Sequence, residues 1–321
     1  AFSHFNYDKN SPKDQTNSIF DLASVTKVVG TTSAAMILIH EGKLNLDDKV
    51  IKYLPEFNNT GKDKITIRNL LLHNSGLAAF KRYYDVYTTG DEIIKDIMNL
   101  PLENLPGEKY VYSDLGMITL QKVMEKISGK PINIFLKENL FDPLEMNNTM
   151  YHPSNDIIYK CVPTEIDTVW RHKLIQGEVH DERAAILNGI AGHAGLFSTT
   201  EDLSKFIMMY LNDGKYSCSQ ILDPKLIEEW TTKQSEQSDR AIGWDTKSLE
   251  GYSSSGHFFS NNSFGHTGFT GTSIWVDKDT KLFVILLTNR VYPTRANRKI
   301  SDFRPIIHDA IYNTIFSLST N

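Results

Sequence analysis

The segment that decides the fold runs from residue 24 to residue 42 and reads SVTKVVGTTSAAMILIHEG. Apolar residues lie on almost every face of this stretch, which is typical of a helix buried inside a protein. Gly42 follows the last helical residue and indicates the C-terminal stop of the helix. We therefore predict a central buried helix with Ser24 at its start.

The start of this helix carries the pattern S-x-x-K, formed by Ser24 and Lys27. A serine hydroxyl is a poor nucleophile until a nearby base takes its proton. Side chains three residues apart share a helix face, so the Lys27 amine can reach the Ser24 hydroxyl. Free backbone N–H groups at a helix start also favour a developing oxyanion. So short a pattern arises by chance, and a helix cap beside a solvated lysine is the alternative interpretation.

A second motif is Tyr-Ser-Asp at residues 112–114. A tyrosine near a Ser–Lys pair can pass a proton to the leaving group, and a polar residue two positions on can hold a substrate amide. Similar triplets occur at residues 83–85 and 210–212. Tyr112 is favoured because it lies between a turn and the start of a helix, a connecting position that suits a catalytic group.

The third motif is His266-Thr267-Gly268, followed by Phe269. A strand edge with small residues lets a substrate backbone dock alongside it, and the next backbone N–H can complete an oxyanion hole. An ordinary glycine-rich turn is the alternative if the motif is taken alone.

The three motifs in this order resemble the serine β-lactamase and penicillin-binding-protein superfamily, in particular its class C-like branch of D-Ala-D-Ala carboxypeptidases and esterases. The chain is especially similar to bacterial serine-hydrolase modules that occur alone or fused behind a glycosidase-like domain. The resemblance runs from about residue 20 to the C-terminus. It also includes the segments EGKLNLDDKVIKYLPEF, IRNLLLHNSGL, PGEKYVYSDLG, GEVHDERA, GIAGHAGLFST and FGHTGFTGTSIWVD.

The resemblance implies a role for each motif. Ser24 would form the acyl-enzyme, and Lys27 and Tyr112 would share the proton transfers. The backbone N–H groups of Ser24 and Phe269 would form the oxyanion hole. Thr267 and Gly268 would line the strand along which the substrate docks.

Two substrate-binding positions depart from the family pattern. Asp114 stands where the family often has Asn, so an acceptor-only group replaces an amide donor when the carboxyl is ionised. His266 stands where many members have Lys, which removes a fixed positive charge for a substrate carboxylate, although a histidine is expected to be cationic at mildly acidic pH. Both changes argue against efficient β-lactam hydrolysis and leave ester or amide acyl transfer intact.

We therefore expect a serine hydrolase that forms an acyl-enzyme on a small ester, amide or D-amino-acid peptide, in the manner of a D,D-carboxypeptidase or esterase. One alternative is a penicillin-binding or cell-wall-sensing module that is acylated without efficient turnover. A β-lactamase, and a catalytically idle domain that supports a fused partner, are further alternatives. Expected substrates include peptidoglycan-like molecules, and the family resemblance implies a periplasmic or extracellular location.

The rest of the chain predicts an α+β fold of the β-lactamase/transpeptidase type, with an antiparallel sheet flanked by helices and a mainly helical lobe. We expect one catalytic domain over residues 1–321, with an α/β lobe at about 1–60 and 195–321 and a helical lobe at about 61–194. The run TSIWVDKDTKLFVILLTNR predicts a β-hairpin. Family members place two strands before the segment that starts this sequence, AFSHFNYD, and those strands appear absent here, so we expect a longer natural chain, a fused domain or a partner strand to cover the strand at residues 282–287.

Composition excludes several other functions. A net charge of −5 argues against a nucleic-acid or anionic-membrane partner, and no apolar run approaches the length of a membrane span. His180, Asp181, Glu182 and His193 do not have the spacing of a known metal site, so we predict no metal and no cofactor. These residues are interpreted as loop residues at the border of the cleft.

Overall fold

The computed structural model describes residues 1–59 and 61–317. Its largest sheet has four antiparallel strands in the order β6-β7-β8-β9. They are β6 (Asp245–Thr246), β7 (Ser263–Thr267), β8 (Ser273–Asp277) and β9 (Leu282–Leu286). Strands β8 and β9 form the predicted hairpin, and every residue of β8 is buried, as its apolar sequence requires.

A second sheet connects the segment before Ser24 to distant parts of the chain. Its strands, in the order β1-β3-β2, are β1 (Phe20–Asp21), β2 (Met150–Tyr151) and β3 (Leu196–Ser198). A small separate hairpin pairs β4 (Lys215–Tyr216) with β5 (Ser219–Gln220). Because β1 pairs with β3, Ser24 comes to lie beside the loop that precedes residue 196.

The predicted buried helix is present, but its first turns are not α-helical. A 3-10 turn covers Ala23–Val25, a π-helical stretch covers Lys27–Thr32, and α1 follows at Ser33–His40. The π-helical residues are all buried, and Gly42 adopts the left-handed conformation expected after a helix end. Such wide turns often occur at functional sites.

Eight further α-helices surround this segment in the part of the chain that the structure describes. They are α2 (Ile67–Leu71), α3 (Gly90–Asn99), α4 (Asp114–Ser128), α5 (Ile132–Leu136), α6 (Glu182–Ile186), α7 (Thr200–Leu211), α8 (Pro224–Thr231) and α9 (Ile300–Ser317). None of the described helices is long and apolar enough to cross a membrane.

Capping residues explain where two of these helices begin. Threonine before an apolar run predicts a helix cap at Thr66, and Thr66 does cap α2, in a reciprocal capping box with Asn69. A glycine after such a run predicts a helix end at Gly76, but this prediction is wrong, because the helix already stops at Leu71. Ser113 caps α4 by accepting from the N–H of Gly116, which places the predicted triplet at the very start of that helix.

Strand β9 pairs only with β8 among the described residues. The N-terminal segment packs near its end, where Phe5 contacts Leu287 and the carbonyl of Phe5 accepts from Asn289 Nδ2 at 2.9 Å. Coverage of this edge by a further strand stays a prediction, as does the division into two lobes.

Candidate active site

Ser24 and Lys27 are in direct contact. Lys27 Nζ lies 2.9 Å from Ser24 Oγ, and the lysine is completely buried. The preceding residue, Ala23, has a φ of 46°, a region that alanine rarely adopts. Its N–H donates to Asp21 Oδ1 at 2.8 Å, which holds this bend in place. Backbone strain of this kind tends to occur at functional sites.

Three groups contact the Lys27 amine in addition to Tyr112. Besides Ser24 Oγ, they are the carbonyl oxygen of His193 at 3.0 Å and Asp114 Oδ1, an ion-pair partner at 2.8 Å. A carbonyl and an ionised carboxylate only accept hydrogen bonds, whereas a hydroxyl also donates. When the amine is neutral, its two N–H groups therefore serve His193 and Asp114, and its lone pair is left for the Ser24 proton.

The charges around Lys27 determine its protonation at rest. Burial lowers the pKa of Lys27, but the charge of Asp114 and the contact with Tyr112 outweigh it, and the pKa ends above its usual value. Burial raises the pKa of Asp114, yet the charges of Lys27, His193 and Arg183 bring it below its usual range. At neutral pH the pair is therefore an ammonium and a carboxylate.

Tyr112 lies against the same amine, with Lys27 Nζ 4.7 Å from the centre of its ring. The His73 ring packs against the Tyr112 ring, with 4.6 Å between the ring centroids. His73 Nδ1 accepts from the N–H of Ser113 at 3.1 Å, so this buried histidine after α2 positions the tyrosine segment.

The turn that follows the predicted substrate strand forms hydrogen bonds with the segment that precedes Ser24. Thr272 Oγ1 donates to the carbonyl of Leu22 at 2.9 Å, and Thr270 Oγ1 donates to that of Asp21 at 2.8 Å. A Cβ on Gly268 would lie 2.5 Å from Leu22 O and 2.1 Å from Thr272 Oγ1, so only glycine fits there. This close approach brings Thr267, at the end of β7, and Phe269 beside Ser24. All three residues line the same cavity.

His266 is buried in β7, with an exposed fraction of 2%. Its Nδ1 lies 2.8 Å from the carbonyl of Thr267, so this nitrogen carries the hydrogen. Burial, followed by the charges of Arg240 and Lys27, lowers the pKa of His266 well below its usual value. The expectation that His266 becomes cationic at mildly acidic pH is therefore wrong, because the ring is buried among cations.

Positive charge is supplied instead by arginines that the sequence analysis missed. A cavity of about 610 Å³ opens on one side of Ser24, and we call it the arginine cavity after Arg290, Arg298 and Arg304 in its wall. No carboxylate of the described residues forms an ion pair with these three. Arg304 is buried and donates through Nη2 to the carbonyl oxygens of Gly268 and Thr272, at 2.9 and 2.8 Å.

Two more arginines of the same wall are already neutralised. Arg240 pairs with Asp245 at 2.9 Å, and Arg295 pairs with Glu165 at 2.7 Å. The arginines that follow β9 closely in the sequence could have indicated an anion-binding segment. Nothing in the sequence showed, however, that this segment folds back to Ser24.

A second cavity of about 420 Å³ lies on the other side of Ser24. We call it the aromatic cavity after Phe80, Tyr84 and Phe269, which line it. The side chains of Phe80 and Phe269 are 60% and 50% exposed, unusual for phenylalanine, and so present apolar surface to a ligand.

Of the four residues considered for a metal, Asp181 and His193 reach the Lys27 network. His193 Nε2 lies 2.9 Å from Asp181 Oδ1, and the ligand atoms of Asp114, Asp181 and His193 all lie within 4.8 Å of one another. Lys27 and Arg183 are already paired with the two carboxylates, so protein cations occupy the place of an ion. The other two, His180 and Glu182, border the aromatic cavity.

Comparisons with known proteins agree with this arrangement. The family model described as Beta-lactamase matches residues 5–305. An N-acetylmuramyl-L-alanine amidase of Bacillus subtilis is 34% identical over 307 residues, which cover 87% of this chain and 69% of the relative. A putative D-alanyl-D-alanine carboxypeptidase of Salmonella agona is 30% identical over 316 residues, which cover 89% of this chain and 72% of the relative.

Solved structures share the fold at lower identity. A penicillin-binding protein homolog from Caulobacter crescentus has a TM-score of 0.74 at 16% identity, covering 94% of this chain and 85% of the other. EstCE1, described as a hydrolase with promiscuous acyltransferase activity, has a TM-score of 0.71 at 21% identity, covering 94% and 88%. These two likenesses show the predicted β-lactamase/transpeptidase-like α+β fold. By the match of the family model over nearly the whole chain, this protein belongs to the beta-lactamase family of serine hydrolases.

Proposed function

We propose that the protein hydrolyses a small ester, amide or D-amino-acid peptide through an acyl-enzyme on Ser24, as a D,D-carboxypeptidase or esterase does. The observation that carries this proposal is the surrounding of Lys27, in which the groups of His193 and Asp114 only accept hydrogen bonds, while the Ser24 hydroxyl lies 2.9 Å from the amine and can donate its proton. The amine is thereby aimed at the hydroxyl that must be activated.

The proposed reaction begins when neutral Lys27 takes the proton of Ser24 Oγ. The oxygen then forms a bond to the substrate carbonyl carbon, and the backbone N–H groups of Ser24 and Phe269 hold the resulting oxyanion. Collapse of this intermediate breaks the bond to the leaving group, which receives the proton from Lys27 through the Tyr112 hydroxyl. Water repeats these steps on the acyl-enzyme, releasing the acid and restoring Ser24.

The arginine cavity supports a substrate that carries an anion, because it is lined by three arginines that pair with no carboxylate in the described part of the chain. A peptide with a free C-terminal carboxylate fits this charge. The names of the Bacillus and Salmonella relatives refer to cell-wall peptides, and we extend that substrate class to this chain as part of the proposal. A periplasmic or extracellular site of action follows from the same extension.

A second candidate function is acylation without efficient turnover, in a penicillin-binding or cell-wall-sensing module. The observation that favours it is the ion pair of Lys27 with Asp114, which keeps the amine protonated at neutral pH and so limits its action as a base. Deacylation would suffer in particular, since water is a weak nucleophile.

One experiment tests both candidates. The protein and its Ser24→Ala variant are incubated with a fluorophosphonate, a penicillin, a p-nitrophenyl ester and a D-Ala-D-Ala peptide, while intact mass and product release are followed. Turnover that falls by a factor of about 10³ or more in the variant supports the hydrolase. A stable adduct without turnover supports the second candidate. Equal behaviour of the two proteins refutes Ser24 as nucleophile, and Ser204→Ala on α7 is the matched control.

A further inference from the structure

The Asp114 carboxylate joins two cations at the start of α4. Its Oδ1 lies 2.8 Å from Lys27 Nζ, and its Oδ2 lies 2.8 Å from Arg183 Nη2. Both oxygens are thus engaged before any substrate arrives. Asp114 therefore has direct electrostatic control over the catalytic amine.

The contacts continue from Arg183 until they close a ring. Arg183 Nη2 lies 2.6 Å from Asp181 Oδ2, and Asp181 Oδ1 lies 2.9 Å from His193 Nε2. The carbonyl oxygen of His193 in turn accepts from Lys27 at 3.0 Å. The ring brings together the Lys27 segment, the start of α4 and the stretch from the start of α6 to the loop before β3, three parts of the chain that are far apart in sequence.

We propose that Arg183, Asp181 and His193 are positioning residues that act through this ring to set the pH at which Lys27 activates Ser24. The proposal rests on the proposed function and deepens it. Asp114 favours the ammonium form of Lys27, whereas Arg183 opposes it as a like charge and shares the Asp114 carboxylate. Asp181 and His193 hold Arg183 and the accepting carbonyl in place.

Other titratable groups that face Lys27 do not produce the same pH dependence. His73 and His266 are buried, and the pKa of each lies well below its usual value, first because of burial, so both stay neutral. Arg240 and Asp245 form an ion pair of 2.9 Å whose charges offset each other. Tyr112, in contact with the amine, is left unchanged in every variant described below.

The test measures the rate at which a fluorophosphonate phosphonylates Ser24 with loss of fluoride, by intact mass, from pH 6 to pH 10. Asp114→Asn removes the negative charge and moves the rising limb of the profile to lower pH, by about 1–2 units. Arg183→Gln removes the opposing charge and moves the limb to higher pH, while Arg183→Lys lies closer to the wild type. The opposite directions distinguish an electrostatic role from a structural one.

Asp202→Asn is the matched control, because Asp202 is a buried carboxylate on α7 that bonds to Thr149 and the N–H of Asn148. We expect it to change thermal stability without moving the profile. Profiles of the Asp114 and Arg183 variants that coincide with the wild type, or that move in the same direction, overturn the proposal. Each variant predicts its own direction of shift, so either one tests the proposal even if the other fails to fold. Absence of acylation in the wild-type protein instead refutes the proposed function.

Discussion

The two cavities that meet at Ser24 differ in chemistry although they share this residue. The arginine cavity presents guanidinium groups that have no carboxylate partner among the described residues, and the aromatic cavity presents half-exposed phenylalanine rings. A substrate whose ends differ in charge can then bind in one direction only, with its anionic end among the arginines. In the proposed function, selectivity for orientation thus comes from the walls, whereas reactivity comes from the Ser–Lys pair between them.

Lys27 is the proposed base for a substrate bound in either cavity. The pH should therefore affect the reactions of anionic and neutral substrates alike. Asp114 holds the pKa of Lys27 above its usual value, so the active neutral amine is the minor form at neutral pH. At pH values below that pKa, the neutral fraction of Lys27 rises about tenfold for each unit of increase in pH. The rate of acylation should therefore rise about hundredfold from pH 6 to pH 8. Stopped-flow acylation rates for one neutral ester and one carboxylate-bearing ester check this. A plateau below pH 8 for either ester contradicts it.

The position of the strand beside Ser24 depends on the close contact of Gly268 with Leu22. Gly268→Ala forces a Cβ to within 2.5 Å of Leu22 O, so the strand must move away from Ser24 and the oxyanion donor with it. We expect kcat/KM to fall by about 30-fold for both esters. Complete loss of one oxyanion-hole donor lowers the rate by about 100-fold or more, and a displaced donor should cost less than a lost one.

Gly116→Ala in α4 is the matched control for this change. Its Cβ meets only ordinary contacts at 3.6 Å or more, and alanine stabilises a helix interior by up to about 1 kcal/mol relative to glycine. Normal activity of Gly268→Ala would show that the close approach is not required.

The arginine cavity alone is changed by Arg298→Gln. Loss of one unpaired guanidinium should raise KM for the carboxylate-bearing ester about tenfold, by analogy with the loss of one charged hydrogen bond. The neutral ester should be unaffected, and high salt should reduce the difference. Arg68→Gln, at an exposed ion pair with Asp47, is the control. An equal change for both esters would remove the argument for an anion in this cavity.

The aromatic cavity alone is changed by Phe80→Ala. The exposed ring offers apolar area to the acyl group, and its partial loss should raise KM about threefold for an ester with a bulky acyl chain. An acetyl ester should show no change, and Phe258→Ala, at another exposed phenylalanine outside the aromatic cavity, is the control. A larger effect on the acetyl ester would mean that Phe80 supports the Ser24 segment instead of contacting substrate.

Local patterns predicted much of the fold and part of the site. The buried helix, the Thr66 cap, the C-terminal hairpin and the contact between Ser24 and Lys27 all depend on residues close together in the chain. Sequence patterns failed at the end of α2 and in the first turns of the Ser24 helix, where tertiary packing replaced regular α-helix by 3-10 and π turns. They also could not show that Asp114 would bind Lys27 and Arg183.

Residue type and spacing therefore determined the family and the proximity of Ser24 and Lys27, the proposed nucleophile and base, because helical geometry places positions three apart on one face whatever surrounds them. Only the tertiary structure decided the charge state of the site. Burial among cations makes His266 neutral, the segment after β9 brings arginines to Ser24, and a ring from α4, α6 and the loop before β3 surrounds Lys27. These effects depend on distances between remote parts of the chain and on exclusion of water, which no local pattern contains.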